Sequence, residues 1–185
     1  VTALVTVLLV AVLAGAAVWL YNSLVGLRNQ VGSAWAQIDV QLKRRHDLIP
    51  NLVAAVQGYM QHERELFARI AAARTRALSA TGASAVGAAE GALSQAVGGL
   101  LAVMERYPDL KANQNVLALQ EELVTTENRV GFARQLYNDL VARYNTRQQV
   151  FPTNLVAGAL GFRPAEFFQV EAADRALPQV DLGSR

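Results

Sequence analysis

Two histidines, His46 and His62, are the natural starting points for any chemistry in this chain, which has no cysteine. A di-iron carboxylate site on a helical scaffold needs inward Glu residues and Glu-x-x-His motifs. Here Lys43 and Tyr59 stand three residues before the histidines, so neither motif is made. His62-Glu63 opens like a zincin, but Leu66 occupies the place of the second histidine. No G-x-S-x-G, G-x-x-x-x-G-K-[ST] or G-x-G-x-x-G occurs. The glycines of 82–99 follow no strand-like pattern, so they do not read as a phosphate cradle. These absences point to a non-enzymatic chain without metal or other cofactor.

The densest polar stretch is 37–51, QIDVQLKRRHDLIPN. Within it Lys43, Arg44, Arg45 and Asp47 form a candidate partner-docking cluster. Its plainer reading is a solvated helix end, where cations also suit the C-terminal dipole. Lys and Arg number 17 against 15 Asp and Glu. That near-balance is not the basic excess of a nucleic-acid binder, so no nucleic-acid partner is expected.

The elements that carry these residues begin with an apolar run. Residues 1–27 hold no charge, and 1–20 are nearly all Val, Leu, Ala and Thr. About 20 such residues span the roughly 30 Å hydrocarbon core of a bilayer. Trp19 and Tyr21 close the run, where amphipathic rings favour the headgroup level, and Arg28 is the first charge. The expectation is a transmembrane anchor over 1–24. The alternative is a cleaved signal peptide with Ala14-Gly15-Ala16 as its cleavage site, but the run is longer than a typical h-region. The first residue is Val, which implies a short missing piece upstream.

Beyond the anchor, Leu24, Leu27, Val31, Trp35, Ile38 and Leu42 continue a coiled-coil-like seam. The spacing predicts that the anchor runs into a first bundle helix ending near Asp47, with Pro50 breaking it or starting the next. A second helix is expected over 51–78, with Leu52, Val56, Tyr59, Met60, Phe67 and Ile70 as its stripe. The small-residue stretch 79–87 reads as a loop. A third helix follows over 88–106, with Leu93, Val97, Leu100, Leu101 and Met104 inside. Gly98 and Gly99 mark either local weakness or the close approach of another helix. Tyr107-Pro108-Asp109 separates it from a fourth helix over 110–149.

The fold class expected is all-α: an N-terminal transmembrane helix continuing into an elongated antiparallel four-helix bundle over 25–150. An irregular Pro- and Phe-containing tail occupies 151–185, packed or partly disordered, with a short helix over 155–160 stopped at Gly161-Phe162. The last ten residues read as frayed. Phe162, Phe167 and Phe168 are candidate tail contacts, onto the bundle, a second chain or lipid, and Gly98 and Gly99 are candidate oligomer contacts.

The chain resembles the LemA family. The resemblance lies in Tyr21-Asn22-Ser23-Leu24-Val25-Gly26-Leu27-Arg28-Asn29, in Ala34-Trp35, and in the specific block 38–53, IDVQLKRRHDLIPNLV. It continues through Gly58-Tyr59, His62-Glu63, 107–113 (YPDLKAN), 119–123 (LQEEL) and Tyr137-Asn138. It closes with Phe151-Pro152-Thr153-Asn154, Gly161-Phe162 and Phe167-Phe168. It implies a bacterial membrane-anchored protein with a four-helix bundle on one side of the membrane, no established enzyme activity and no catalytic residues to carry over. The Gly- and Ala-rich 82–99 region departs from the family in looking looser.

Two functions follow. One is a membrane-anchored scaffold that self-assembles, as a homo-oligomer, or organises bacterial envelope proteins. The alternative is a sensor or adaptor subunit that relays a membrane signal to a soluble partner. The lipid bilayer is the first partner, and a membrane or envelope protein is the second. The expected place is the bacterial cytoplasmic (inner) membrane, crossed once. Arg28, Lys43, Arg44 and Arg45 on the C-terminal side of the anchor favour a cytoplasmic bundle, and lysines upstream would weaken that choice.

Overall fold

The computed structural model describes residues 1–169, whose regular structure is all helical, with no strand among them. The elements are α1 (Thr2–Val56), α2 (Arg64–Ser79), α3 (Ala83–Met104), α4 (Pro108–Lys111), α5 (Gln114–Gln149) and α6 (Thr153–Ala159). The expected frayed end at 176–185, with Pro178, lies outside the described residues. The chain divides into two compact units, and the long helices α1 and α5 contribute to both.

The first unit comprises residues 1–45 and 124–167. Here α1 and α5 run antiparallel: Trp35 meets Tyr137 at 5.4 Å between ring centroids, and Arg45 meets Glu127 at 2.9 Å. The seam read from the sequence is largely the buried face, since Leu24, Val31, Ile38 and Leu42 are all buried. Leu27 and Trp35 are half-buried, and Ala34 joins the buried set. On α5 the facing positions are Val130, Tyr137, Val141 and Tyr144. Spacings of three, four and seven keep these side chains on one helix face.

The second unit comprises 46–123 together with Phe168 and Gln169 among the described residues. Its core is built from Leu52, Val56, Met60, Ile70, Leu93, Leu100, Leu110 and Val116, each nearly inaccessible. Helix α2 buries Leu66, Ile70, Ala73 and Ala77 at helical spacing. Residues 80–82 then return the chain into α3, with Gly82 at φ +87°. That is a left-handed conformation which costs glycine little.

Four boundaries differ from expectation, each for a local reason. Helix α1 does not end near Asp47; it continues through Pro50 to Val56. Proline has no N–H for the carbonyl four residues back, that of His46. The Arg74 side chain on α2 takes that role, its Nε–H donating to the His46 carbonyl at 2.9 Å. The expected second helix is therefore split at a turn over 57–63, where the Met60 amide donates to the Val56 carbonyl and the Met60 side chain is fully buried. Tyr59, placed inside by the pattern, is exposed in that turn.

The expected loop 79–87 shrinks to 80–82, because Ala83, Val86 and Gly87 are already buried helical positions of α3. The expected fourth helix is two elements. After α4 the Asn113 carboxamide oxygen accepts from the amides of Asn115 and Val116, at 3.0 and 3.3 Å, capping α5 afresh. Beyond the cis Phe151–Pro152 bond, α6 stops as expected. Gly161 sits at φ +69°, and the Phe162 amide donates back to the Ala157 carbonyl at 3.0 Å.

Candidate functional site

Every residue from 1 to 19 is exposed, and Leu20 is the first buried position. A helix of uncharged Leu, Val and Ala, about 28 Å long at ~1.5 Å per residue, therefore stands without protein around it. Its end carries aromatic and cationic groups. The Arg147 guanidinium lies 5.5 Å from the Trp19 ring centroid, and that of Arg28 lies 5.6 Å from the Phe162 ring. Phe162 in turn meets Tyr21 edge-on at 5.9 Å. Helix α3 is also long and apolar enough to cross a membrane. Its buried stripe, however, packs in the core of the second unit and includes the carboxylate of Glu90.

That carboxylate is part of a buried polar pair absent from the sequence reading. His46 Nε2 lies 2.6 Å from Glu90 Oε1, and both residues are under a tenth exposed. The pair ties α1 to α3 inside the second unit. No cluster of three or more metal-ligating side chains occurs among the described residues. Periodicity had marked neither residue as interior; a Glu on an otherwise Ala- and Gly-rich helix was the one available signal.

The candidate docking cluster does not stay together. Lys43, Arg44 and Asp47 are exposed, but Arg45 is only 2% exposed and ion-paired with Glu127. Arg45 follows Ile38 and Leu42 on the buried face, so helical phase turns it inward. It is a structural ion pair, not a surface group.

Gly98 has open space where a Cβ would project, and a Cβ on Gly99 would meet Leu66 at an ordinary 3.7 Å. Neither marks a close backbone approach. Gly87 does, since a Cβ there would overlap the Gln169 carbonyl. The tail aromatics separate: Phe162 is half-buried, Phe167 is 38% exposed and Phe168 is 3% exposed.

The segment after α6 is latched to α5 by polar groups. Asn145 accepts from the Ala165 amide at 2.8 Å and donates to the Ala165 carbonyl at 2.9 Å. Tyr137 donates its hydroxyl to the Glu166 carbonyl at 2.8 Å. Burial, and after it the Glu166 charge, raise the Tyr137 phenol above its ordinary value, so it stays a donor.

An open groove of about 510 Å³ runs between α1 and α5 within the first unit. Ala36, Gln37, Val40, Phe132 and Leu136 line it. Val40 is 63% exposed and Phe132 74%. Both lie off the buried seam, so the periodicity of core positions does not mark them.

The chain is similar to magnetosome protein MamQ 2 of Paramagnetospirillum magneticum, at 26% identity over 83% of this chain and 66% of the relative. Magnetosome protein MamQ of Magnetospirillum gryphiswaldense is 22% identical with the same coverage. The chain thus spans just under two thirds of the length of these relatives. Protein LemA of Metamycoplasma hominis is 26% identical over 83% of this chain and 71% of its own length. The LemA family model matches residues 34–182, from the middle of α1 through both ends of the His46–Glu90 pair and the latch on α5. By that match the chain is a member of the LemA family.

Proposed function

We propose that this protein is a membrane-anchored, non-enzymatic helical scaffold that self-assembles through the groove between α1 and α5. The observation that carries the reading is the pairing, in one unit, of an unprotected apolar helix with an apolar groove whose Phe132 is 74% exposed. Exposed apolar surface of that kind marks lipid or protein contact. The antiparallel pairing of α1 with α5 supports the four-helix-bundle architecture, and the uncharged run over 1–27 supports a single crossing of the bacterial cytoplasmic membrane. Arg28, Lys43 and Arg44 after the anchor favour a cytoplasmic bundle. The relatives named as magnetosome proteins are membrane-associated and support the membrane placement.

Light scattering on the detergent-solubilised full chain, beside Phe132→Asp, tests the assembly. The expected outcome is a discrete homo-oligomer that dissociates in the variant. A monomer in both sinks self-assembly and favours the adaptor reading, with Lys43 and Arg44, which remain exposed, as the groups to probe for a soluble partner.

A further inference from the structure

Helix α6 is inside out for a protein surface. It buries Thr153 and Ala157, at 1% and 4% exposure. Around it the large apolar side chains face outward: Phe151 is 78% exposed, Leu155 63% and Leu160 58%. A short helix facing water would bury the leucines and expose the threonine. Phe162 lies three residues past the end of α6 and packs on Tyr21, one residue past the first buried position of α1. The exposed leucines therefore sit at the level where the apolar helix leaves the rest of its unit.

The charges at this level are of one sign. The stretches 1–38 and 140–165 contain Arg28, Arg143, Arg147 and Arg163, and the first acidic residues beyond them are Asp39, Asp139 and Glu166, in a chain whose net charge is only +2. Arg147 and Arg28 are held there by their stacking on Trp19 and Phe162. Apolar side chains beside cations are what an interfacial segment presents to an anionic bilayer.

We infer that α6 and its flanks form a second membrane contact, lying in the interface beside the anchor, with Phe151, Leu155 and Leu160 among the acyl chains and the arginines at anionic headgroups. The inference rests on the membrane-anchored reading of α1 and adds to it. A helix that only spans leaves its soluble part free to swivel, whereas a second contact fixes the orientation of the first unit to the bilayer plane.

The absence of cysteine allows single labels on the full chain. Leu155→Cys and Leu160→Cys carry a polarity-sensitive fluorophore, in vesicles of phosphatidylcholine with or without phosphatidylglycerol. Leu9→Cys reports the anchor, and exposed Val40→Cys reports a point about 30 Å beyond Leu20 along α1. Quenchers are lipids spin-labelled at a shallow or at a deep position, the deep one for Leu9→Cys, and aqueous iodide. The expected result is loss of most emission to the lipid quencher at 155, 160 and 9 but not at 40, with a greater loss at 155 and 160 when phosphatidylglycerol is present.

Quenching at 9 alone overturns the second contact and leaves the anchor standing. No lipid quenching at 9 overturns the anchor and the inference together. Protection of 155 and 160 from both quenchers overturns the lipid in favour of a second copy of the chain. Equal lipid quenching in both vesicle types overturns the role given to anionic headgroups.

Discussion

His46 and Glu90 each have too little contact with water to be solvated once the other is removed. Glu90→Ala takes from the buried His46 ring its carboxylate partner, and His46→Ala takes one partner from Glu90; each should cost about 1–3 kcal/mol. Chemical denaturation should show that loss, and replacing both by apolar residues of similar volume should recover part of it. Gly87→Ala should also destabilise, by about 1–3 kcal/mol, because the obstacle is the Gln169 backbone and cannot rotate away. If its melting temperature matches that of the wild-type chain, the close approach is not maintained in solution.

The Tyr137 latch has a pH signature. Its raised phenol means that the folded chain holds the proton more tightly than the unfolded one. The contribution is intact below the ordinary phenol value of about 10 and is lost as pH rises through the raised value. Alkaline titration should release the Ala165–Glu166 segment in the wild-type chain, while Tyr137→Phe, lacking the hydroxyl, should show it loosened already at neutral pH.

For α1, the informative site is Pro50. The rule that proline ends a helix fails here because the carbonyl it orphans is adopted by Arg74. Arg74→Ala should cost about 1–3 kcal/mol by leaving that carbonyl unpaired. In a Pro50→Ala background the amide of residue 50 can take the carbonyl, so the same change should cost less. A double-mutant cycle measures the difference, and strict additivity would falsify the compensation. The sequence showed the proline and the arginine but not their meeting, since the two residues are 24 positions apart and on different helices. The breaks it did locate, at Tyr107-Pro108 and Gly161, depend on backbone chemistry within one turn.

For the molecule, the uncharged helix should decide where the protein resides. After alkaline carbonate washing of membranes the full chain should remain in the pellet, and a form lacking residues 1–19 should not be held there as an integral protein. Leu9→Arg places a charge mid-run, at a cost of about 2.5–3.5 kcal/mol on insertion scales, and should lower the inserted fraction. Unchanged pelleting of the truncated form would instead put retention in another surface, with α6 the first to examine.

The sequence by itself determined the all-helical class, the apolar helix, the seam of Leu24, Val31, Ile38 and Leu42, and the family. Each is carried by local periodicity, by composition, or by contiguous motifs such as the 38–53 block. The tertiary structure alone decided the fate of the polar residues. Arg45 was drawn from a surface cluster into an ion pair with Glu127, His46 was joined to Glu90, and Asn145 was turned into a clasp for Ala165. A polar side chain carries no periodic preference strong enough to announce its partner. Its position is set by what a distant helix brings within about 3 Å, and one sequence read along its length does not contain that distance.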